Sequence, residues 1–200
     1  MKIYLIRHGE TTGDVEDRYG GDYDDDLSHK GVREAEKLAK ELKDKGIQEL
    51  YTSPRLRALH TARILAKALH VNLQIIEDLR ERNNYGILTG MIKAEAKSKY
   101  PGEVKELEKG YKHKVSGSES YEHFKTRILH AFNTIISRDS HSAIAIVTHG
   151  GPIMCIVREL LNAGEFKELG DCAVIELSKS GKRILIDHME RASLIASPKA

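Results

Sequence analysis

The segment Arg7-His8-Gly9-Glu10-Thr11 sets an imidazole beside a guanidinium, and a second imidazole stands far along the chain in Thr148-His149-Gly150-Gly151-Pro152. A further guanidinium, Arg57, lies in Ser53-Pro54-Arg55-Leu56-Arg57-Ala58. Guanidinium groups hold phosphate oxygens in a bidentate fork that lysine does not reproduce. Brought together, Arg7, Arg57 and His149 would make a cationic cradle for a phosphate dianion. A neutral His8 among them would be able to attack phosphorus, because the arginines offset the charge on the equatorial oxygens. An alkoxide leaving group would then need a proton, and Glu81, in Asp78-Leu79-Arg80-Glu81-Arg82, is placed to supply it if its pKa is raised.

Elements must exist to bring these groups to one place. Runs of β-forming residues at 2–6, 48–53, 71–76, 143–149, 172–178 and 183–189 alternate with apolar residues at helical spacing over 30–45, 55–69, 121–137 and 152–161. This alternation predicts an α/β fold, a three-layer α/β/α sandwich on a mostly parallel sheet. The last two runs flank Lys179-Ser180-Gly181-Lys182 and read as an antiparallel hairpin. Ligands of open α/β sheets collect beyond the carboxyl ends of strands, where Arg7-His8, His149 and Glu81 all fall. His149 also precedes an amide-rich helix start. Ser53 is expected to cap the next helix, with Pro54 in its first position and Arg57 about one turn in. Residues 82–120 lack sheet signals and are rich in Lys, Glu, Tyr and Gly, so they are expected to form a helical insertion, a lid over one end of a single domain spanning 1–200.

Two hundred residues with 40% apolar content suffice for one domain with a sizeable core. The 32 Lys plus Arg nearly cancel the 30 Asp plus Glu, which argues against nucleic acid or a membrane surface as partner and makes any anion site local. Cys155 and Cys172 form no CxxC pair, so neither a disulfide scaffold nor a structural zinc is expected, and a reducing cytoplasm fits. The apolar stretch 3–6 ends at once in Arg7-His8-Gly9-Glu10, too short for a signal peptide. His29, His60, His70, His113, His123, His130, His141 and His188 show no metal spacing, and no metal is expected. The acidic run Asp22, Asp24, Asp25, Asp26 lacks the Gly and distal Glu of a calcium loop and reads as a solvated loop. Glu119-Ser120 reads as a helix start.

These motifs together resemble the histidine phosphatase superfamily, which contains cofactor-dependent phosphoglycerate mutases and many phosphatases. Arg7 to Thr11 is similar to that family's RHGET, Ser53 to Ala58 with Thr61-Ala62 to its SPLxRAxxTA, and Thr148 to Gly151 to its second histidine motif. Gly21 with Asp24 and Leu27-Ser28 resembles GxxDxPLT, with Asp26 in place of proline. The resemblance implies His8 as nucleophile, Glu81 as proton donor, His149 as the second catalytic imidazole, and Arg7, Arg57, Thr11 and Gly150 as phosphate ligands, with no metal. Glu81-Arg82-Asn83-Asn84-Tyr85-Gly86 with Leu88, Gly90 and Lys93-Ala94-Glu95 resembles the mutase pattern ERHYGxLxG…KAE apart from one inserted residue. Gly21, Arg82, Tyr85 and Lys93 thereby join the candidate substrate contacts.

Two departures bear on the activity. Asp14 stands where the family often has Asn, and a carboxylate there would repel phosphate unless it turns away, so Asp14 is left outside the site. The paired arginines that mutases carry in the insertion have no counterpart; only Lys105, Lys109, Lys112 and Lys114 occur there, and His149-Gly150-Gly151 reads more like phosphatases than the mutases' HGN. The expected activity is hydrolysis of small phosphate monoesters through a phosphohistidine, without a cofactor. The alternative is a phosphoglycerate mutase primed by 2,3-bisphosphoglycerate. From another class stands an inactive module that binds phosphorylated ligands. A small phosphate ester is the expected partner, and a homodimer is an option the sequence leaves open.

Overall fold

The computed structural model describes residues 1–195. The chain runs β1 (Lys2–Arg7), α1 (Thr12–Val15), α2 (His29–Glu41), β2 (Glu49–Thr52), α3 (Leu56–Leu69), β3 (Asn72–Ile75), α4 (Lys93–Lys99), α5 (Pro101–Glu106), α6 (Tyr121–Arg138), β4 (Ala143–Thr148), α7 (Gly150–Cys155), β5 (Phe166–Ser180) and β6 (Arg183–Leu194). Tight 3-10 turns occupy Glu77–Leu79, Gly86–Leu88 and Leu107–Lys112, and a π turn follows α7 over Ile156–Leu160.

Side chains of a strand alternate between faces, and in β1 both faces are buried. Ile3 and Leu5 pack in one cluster with Phe124, Ile128 and Phe132 of α6, while Tyr4 and Ile6 pack in another with Leu38 of α2 and Leu65 of α3. A central strand apolar on both faces requires helices on both sides, hence the three layers. The sheet order is β3-β2-β4-β1-β5-β6. The first four strands in that order are parallel, and β5 and β6 add antiparallel to one edge. The expected α/β sandwich with its antiparallel hairpin is thus the observed one. The two central strands β1 and β4 carry Arg7-His8 and His149 at their carboxyl ends, side by side: Arg7 pairs with Thr148 in register, and the His8 amide donates to Thr148 O at 3.1 Å.

Several local expectations need correction. Helix α2 stops at Glu41, short of residue 45, and the helix expected from 152 starts two residues earlier at Gly150. Helix α3 begins at Leu56, with Pro54 outside it, and Ser53 is not its cap. The Leu56 amide donates instead to Asp24 Oδ1 at 2.8 Å, while the Ser53 hydroxyl meets His149 and accepts only from the Arg55 amide, at 3.3 Å, outside the helix. Arg57 is therefore the second residue of α3 rather than a turn in. Strands β5 and β6 are longer than read, 15 and 12 residues. Their register shifts between Leu169 and Val174, where Cys172 (φ 52°) and Arg191 (φ 54°) adopt left-handed backbone, a bulge that bends β5 toward the end of β1.

The acidic run is a solvated loop at Asp24 and Asp26, which stay exposed, but not at Asp25, which is buried. Asp22 pairs with Arg55, Asp24 caps α3, Asp26 binds His60 at 2.8 Å, and Asp25 is buried against Arg57. Residues 82–120 contain α4 and α5 and have a small core of Leu88, Ala96 and Val115. They are tied to the 17–20 loop by main-chain bonds, Gly90 N to Tyr19 O at 2.7 Å and Lys93 N to Asp17 O at 3.0 Å. No helix among the described residues is long and apolar enough to cross a membrane.

Candidate active site

His8 is the first residue past β1 and is almost wholly buried, at 6% exposure. Its Nδ1 lies 2.8 Å from Gly9 O. A carbonyl only accepts, so Nδ1 carries the proton and Nε2 keeps a lone pair. That lone pair accepts from Arg57 Nε at 3.2 Å. Burial, then the positive charges of Arg57 and Arg7, hold the imidazole well below its usual pKa, so it is neutral at neutral pH. A neutral imidazole with its Nε2 lone pair beside a guanidinium is the state a nucleophile toward phosphorus requires.

The guanidinium of Arg57 is fixed on three sides. Nη1 donates to Asp25 Oδ1 at 2.8 Å and to Tyr23 O at 2.5 Å, and Nη2 donates to Gly21 O at 2.7 Å. The pair with Asp25 is buried on both sides, and Asp25 in turn accepts from the Gly13 amide at 3.1 Å. Gly21 thus serves through its carbonyl, and its φ of +59° suits glycine. Arg7 reaches the other side of His8; its Nη1 donates to Leu169 O at 2.6 Å and its Nη2 sits 3.3 Å from Asp171. Both acceptors belong to the β5 bulge, and the Cys172 amide donates to His8 O at 3.1 Å, so the bulge holds nucleophile and arginine together.

His149 lies edge-on to His8, with ring centroids 5.1 Å apart, and is fully buried. Its Nε2 is 2.7 Å from Ser53 Oγ, and its Nδ1 has no hydrogen-bond partner. A buried polar nitrogen without a partner is uncommon. Desolvation, followed by the charge of Arg57, keeps this ring neutral too.

Glu81 follows the 3-10 turn after β3. Its Oε2 accepts from Gly151 N at 3.0 Å and its Oε1 from Arg82 N at 2.8 Å. Those bonds lower its pKa, but burial outweighs them and the net shift is upward, as proton donation demands. The turn is stapled by two residues that sequence reading passed over. Arg127 on α6 donates to the carbonyls of Asp78, Arg80 and Glu81 at 2.9, 2.8 and 3.0 Å and pairs with Glu119 at 2.7 Å. Thr148 Oγ1 donates to Leu79 O at 2.7 Å.

These groups surround a cleft of about 1060 Å3 lined by Arg7, His8, Arg57, Glu81, Thr11 and Gly150 among others. His149 lies beneath His8 and does not line it. The remaining candidates divide. Thr11 faces the cleft, yet both its amide (3.0 Å) and its hydroxyl (2.9 Å) bind Asp14 Oδ2, so the carboxylate that would repel phosphate is held by the capping box of α1. Arg82 is held by the carbonyls of Tyr111 (2.6 Å) and Glu119 (3.0 Å). Tyr85 stacks on Tyr19 at 4.9 Å, and Lys93 pairs with Asp17. All three line the same cleft, Arg82 also donating its amide to Glu81. No group of three or more His, Cys, Asp or Glu side chains among the described residues is arranged to hold a metal ion.

Comparison with known proteins places this geometry. Residues 3–190 match the sequence model of the histidine phosphatase superfamily (branch 1). Phosphoserine phosphatase 1 of Hydrogenobacter thermophilus is 31% identical over 163 residues, covering 80% of this chain and 76% of its own. A protein of Proteus mirabilis named "Probable phosphoglycerate mutase GpmB" is 28% identical over 179 residues, covering 87% and 83%. The structure of a mycobacterial glucosyl-3-phosphoglycerate phosphatase superposes with a TM-score of 0.83 over 96% of this chain and 99% of the other at 23% identity, a likeness of fold. With a match that runs from the first strand to the last, the chain belongs to the histidine phosphatase superfamily, branch 1.

Proposed function

We propose that the chain is a phosphomonoesterase in which His8 is transiently phosphorylated. Arg7 and Arg57 hold the phosphoryl oxygens, joined by the amide at Gly150, and Thr11 borders them, while His149 packs edge-on against His8 and backs the nucleophile. Nε2 of His8 attacks phosphorus; the N–P bond forms as the ester P–O bond breaks, and the proton of Glu81 passes to the departing oxygen to release the alcohol. Water then attacks the phosphohistidine, gives its proton to the Glu81 carboxylate, and returns the electron pair to Nε2 as inorganic phosphate leaves. Asp25, Tyr23 and Gly21 keep the Arg57 charge in place, and its Nε–H leaves the Nε2 lone pair of His8 for a phosphoryl oxygen as the N–P bond forms. No step uses a metal, and the segment 82–120 acts as a lid that keeps bulk water from the cleft.

The observation that carries this reading is one cleft lined by Arg7, His8, Arg57 and Glu81, with the Nε2 lone pair of the buried His8 against Arg57 and a half-buried Glu81 whose carboxyl is shifted upward. The relative named as a phosphoserine phosphatase supports hydrolysis. The mutase reading keeps its motif at Glu81 to Glu95 and its relative in Proteus mirabilis. Against it, none of Lys105, Lys109, Lys112 and Lys114 lines the main cleft, and Lys93 is held by Asp17. A panel of phosphate esters, including 3-phosphoglycerate with trace 2,3-bisphosphoglycerate, decides the matter. Stoichiometric release of phosphate, unaffected by EDTA, is expected. Isomerisation without release would replace the hydrolase with the mutase, and affinity without turnover would leave only a binding module.

A further inference from the structure

The cradle accounts for the phosphate and leaves most of the cleft for the rest of the substrate. At about 1060 Å3 the cleft matches those that enclose drug-sized ligands and far exceeds the needs of a three-carbon ester. Its outer walls are aromatic: Tyr19, Tyr85, Tyr111, Tyr121, Phe124 and Phe166 all line it. Tyr19 and Tyr85 stand together at 4.9 Å, and Tyr111 and Tyr121 at 4.8 Å.

The charges point the same way. Five cations line the cleft beyond Arg7 and Arg57, and three are already paired: Arg18 with Glu16, Lys93 with Asp17, and Arg158 with Glu165 and Glu159. Arg158 also lies flat over the Tyr111 ring, 4.2 Å from its centre. Arg82 is held by two main-chain carbonyls, and Lys167 sits exposed on β5 next to Glu168. Glu108, Glu165 and Glu168 line the cleft as well. A substrate carboxylate drawn to Arg18, Lys93 or Arg158 would have to displace an acidic partner while facing three acidic side chains, whereas a ring needs no ionic partner and would pack against the tyrosines, sharing Tyr111 with Arg158 and Lys112.

We infer that the leaving group this cleft takes is an uncharged aromatic alcohol rather than a hydroxy acid, and that Tyr111 is a specificity-determining residue. The inference rests on the hydrolysis proposed above. Its test compares three primary alkyl esters whose leaving oxygens are alike: 2-phenylethyl phosphate, glycerol 3-phosphate and O-phosphoserine. The kcat/KM for 2-phenylethyl phosphate is expected to exceed both others by about tenfold or more, the scale of one or two aromatic contacts. Tyr111→Ala keeps the main-chain carbonyl that holds Arg82 and should cut that preference by between about threefold and tenfold, and Tyr111→Phe should restore it. Hydrolysis of phosphoserine or glycerol 3-phosphate as fast as 2-phenylethyl phosphate, or a preference unchanged in Tyr111→Ala, would overturn the inference while the phosphatase reading stands. No phosphate from any of the three, with no phosphorylated His8, would sink that reading and this inference with it.

Discussion

Adding one methyl group at Gly151 should separate the two chemical roles of the site. A Cβ at this position would stand 2.2 Å from Glu81 Oε1, 3.0 Å from its Cδ and 3.2 Å from Oε2, so the carboxyl group cannot stay where it is in Gly151→Ala. Its bond from the Gly151 amide, 3.0 Å long, is then lost. The three atoms nearest this methyl all belong to Glu81, so the clash falls on that carboxyl group first. General acid catalysis contributes about 10²- to 10⁴-fold, or roughly 3–5 kcal/mol of barrier. That loss should fall on esters of alkyl alcohols, whose leaving oxygen needs a proton. It should largely spare p-nitrophenyl phosphate, whose phenolate leaves unaided. Single-turnover rates of phosphoenzyme formation on both ester types are the assay, with Glu81→Gln as the companion variant that keeps the glycine. If both ester types slow equally, or neither does, Glu81 is not the acid and the reasoning fails.

Three further outcomes are expected. Asp25→Asn removes the carboxylate from an ion pair buried on both sides, so denaturant titration should show a loss of about 3–5 kcal/mol, with KM for phosphate esters rising as Arg57 loosens; wild-type stability and KM would contradict the assigned clamp. Arg57→Lys keeps the charge but loses the fork that spans His8, Asp25 and Gly21, and should lower kcat/KM by about tenfold or more; full activity would show that charge alone suffices. His8 and His149 are both depressed in the fold, so the unfolded chain binds more protons below its ordinary histidine pKa of 6.5, and stability should be lost as pH falls through that value. Each contributes a slope of up to about 1.4 kcal/mol per pH unit, and Glu81, shifted upward, opposes them only as pH rises through its folded value. Unfolding midpoints flat between pH 7 and pH 5 would contradict the buried neutral pair.

What the sequence disclosed and what it hid have different physical origins. Arg7, His8 and His149 are local features, each a polar group at the end of an apolar strand, and the parallel pairing of β1 with β4 follows from burial on both faces. Asp25 was read as solvated because its partner lies 32 residues away on a helix, and nothing in an acidic run tells which member turns inward. The same holds for Arg127, whose three carbonyl partners lie 46 to 49 residues off. Ser53 shows the reverse failure: local chemistry made it a good cap, but its hydroxyl meets His149, 96 residues distant, and the helix starts three residues on, where Asp24 caps it. Asp14, left outside the site on its charge, in fact lines the cleft, with its carboxylate held by Thr11 three residues before it.

The central claim is that His8 carries the phosphoryl group, and its most direct test is rapid acid-free quenching during turnover, followed by mass mapping of the modified peptide. The account predicts one phosphoryl group, labile to acid and stable to alkali, on the peptide containing His8, accumulating further in Glu81→Gln on p-nitrophenyl phosphate and absent in His8→Ala. Turnover with no phosphorylated peptide, or with the label on another residue, would contradict it.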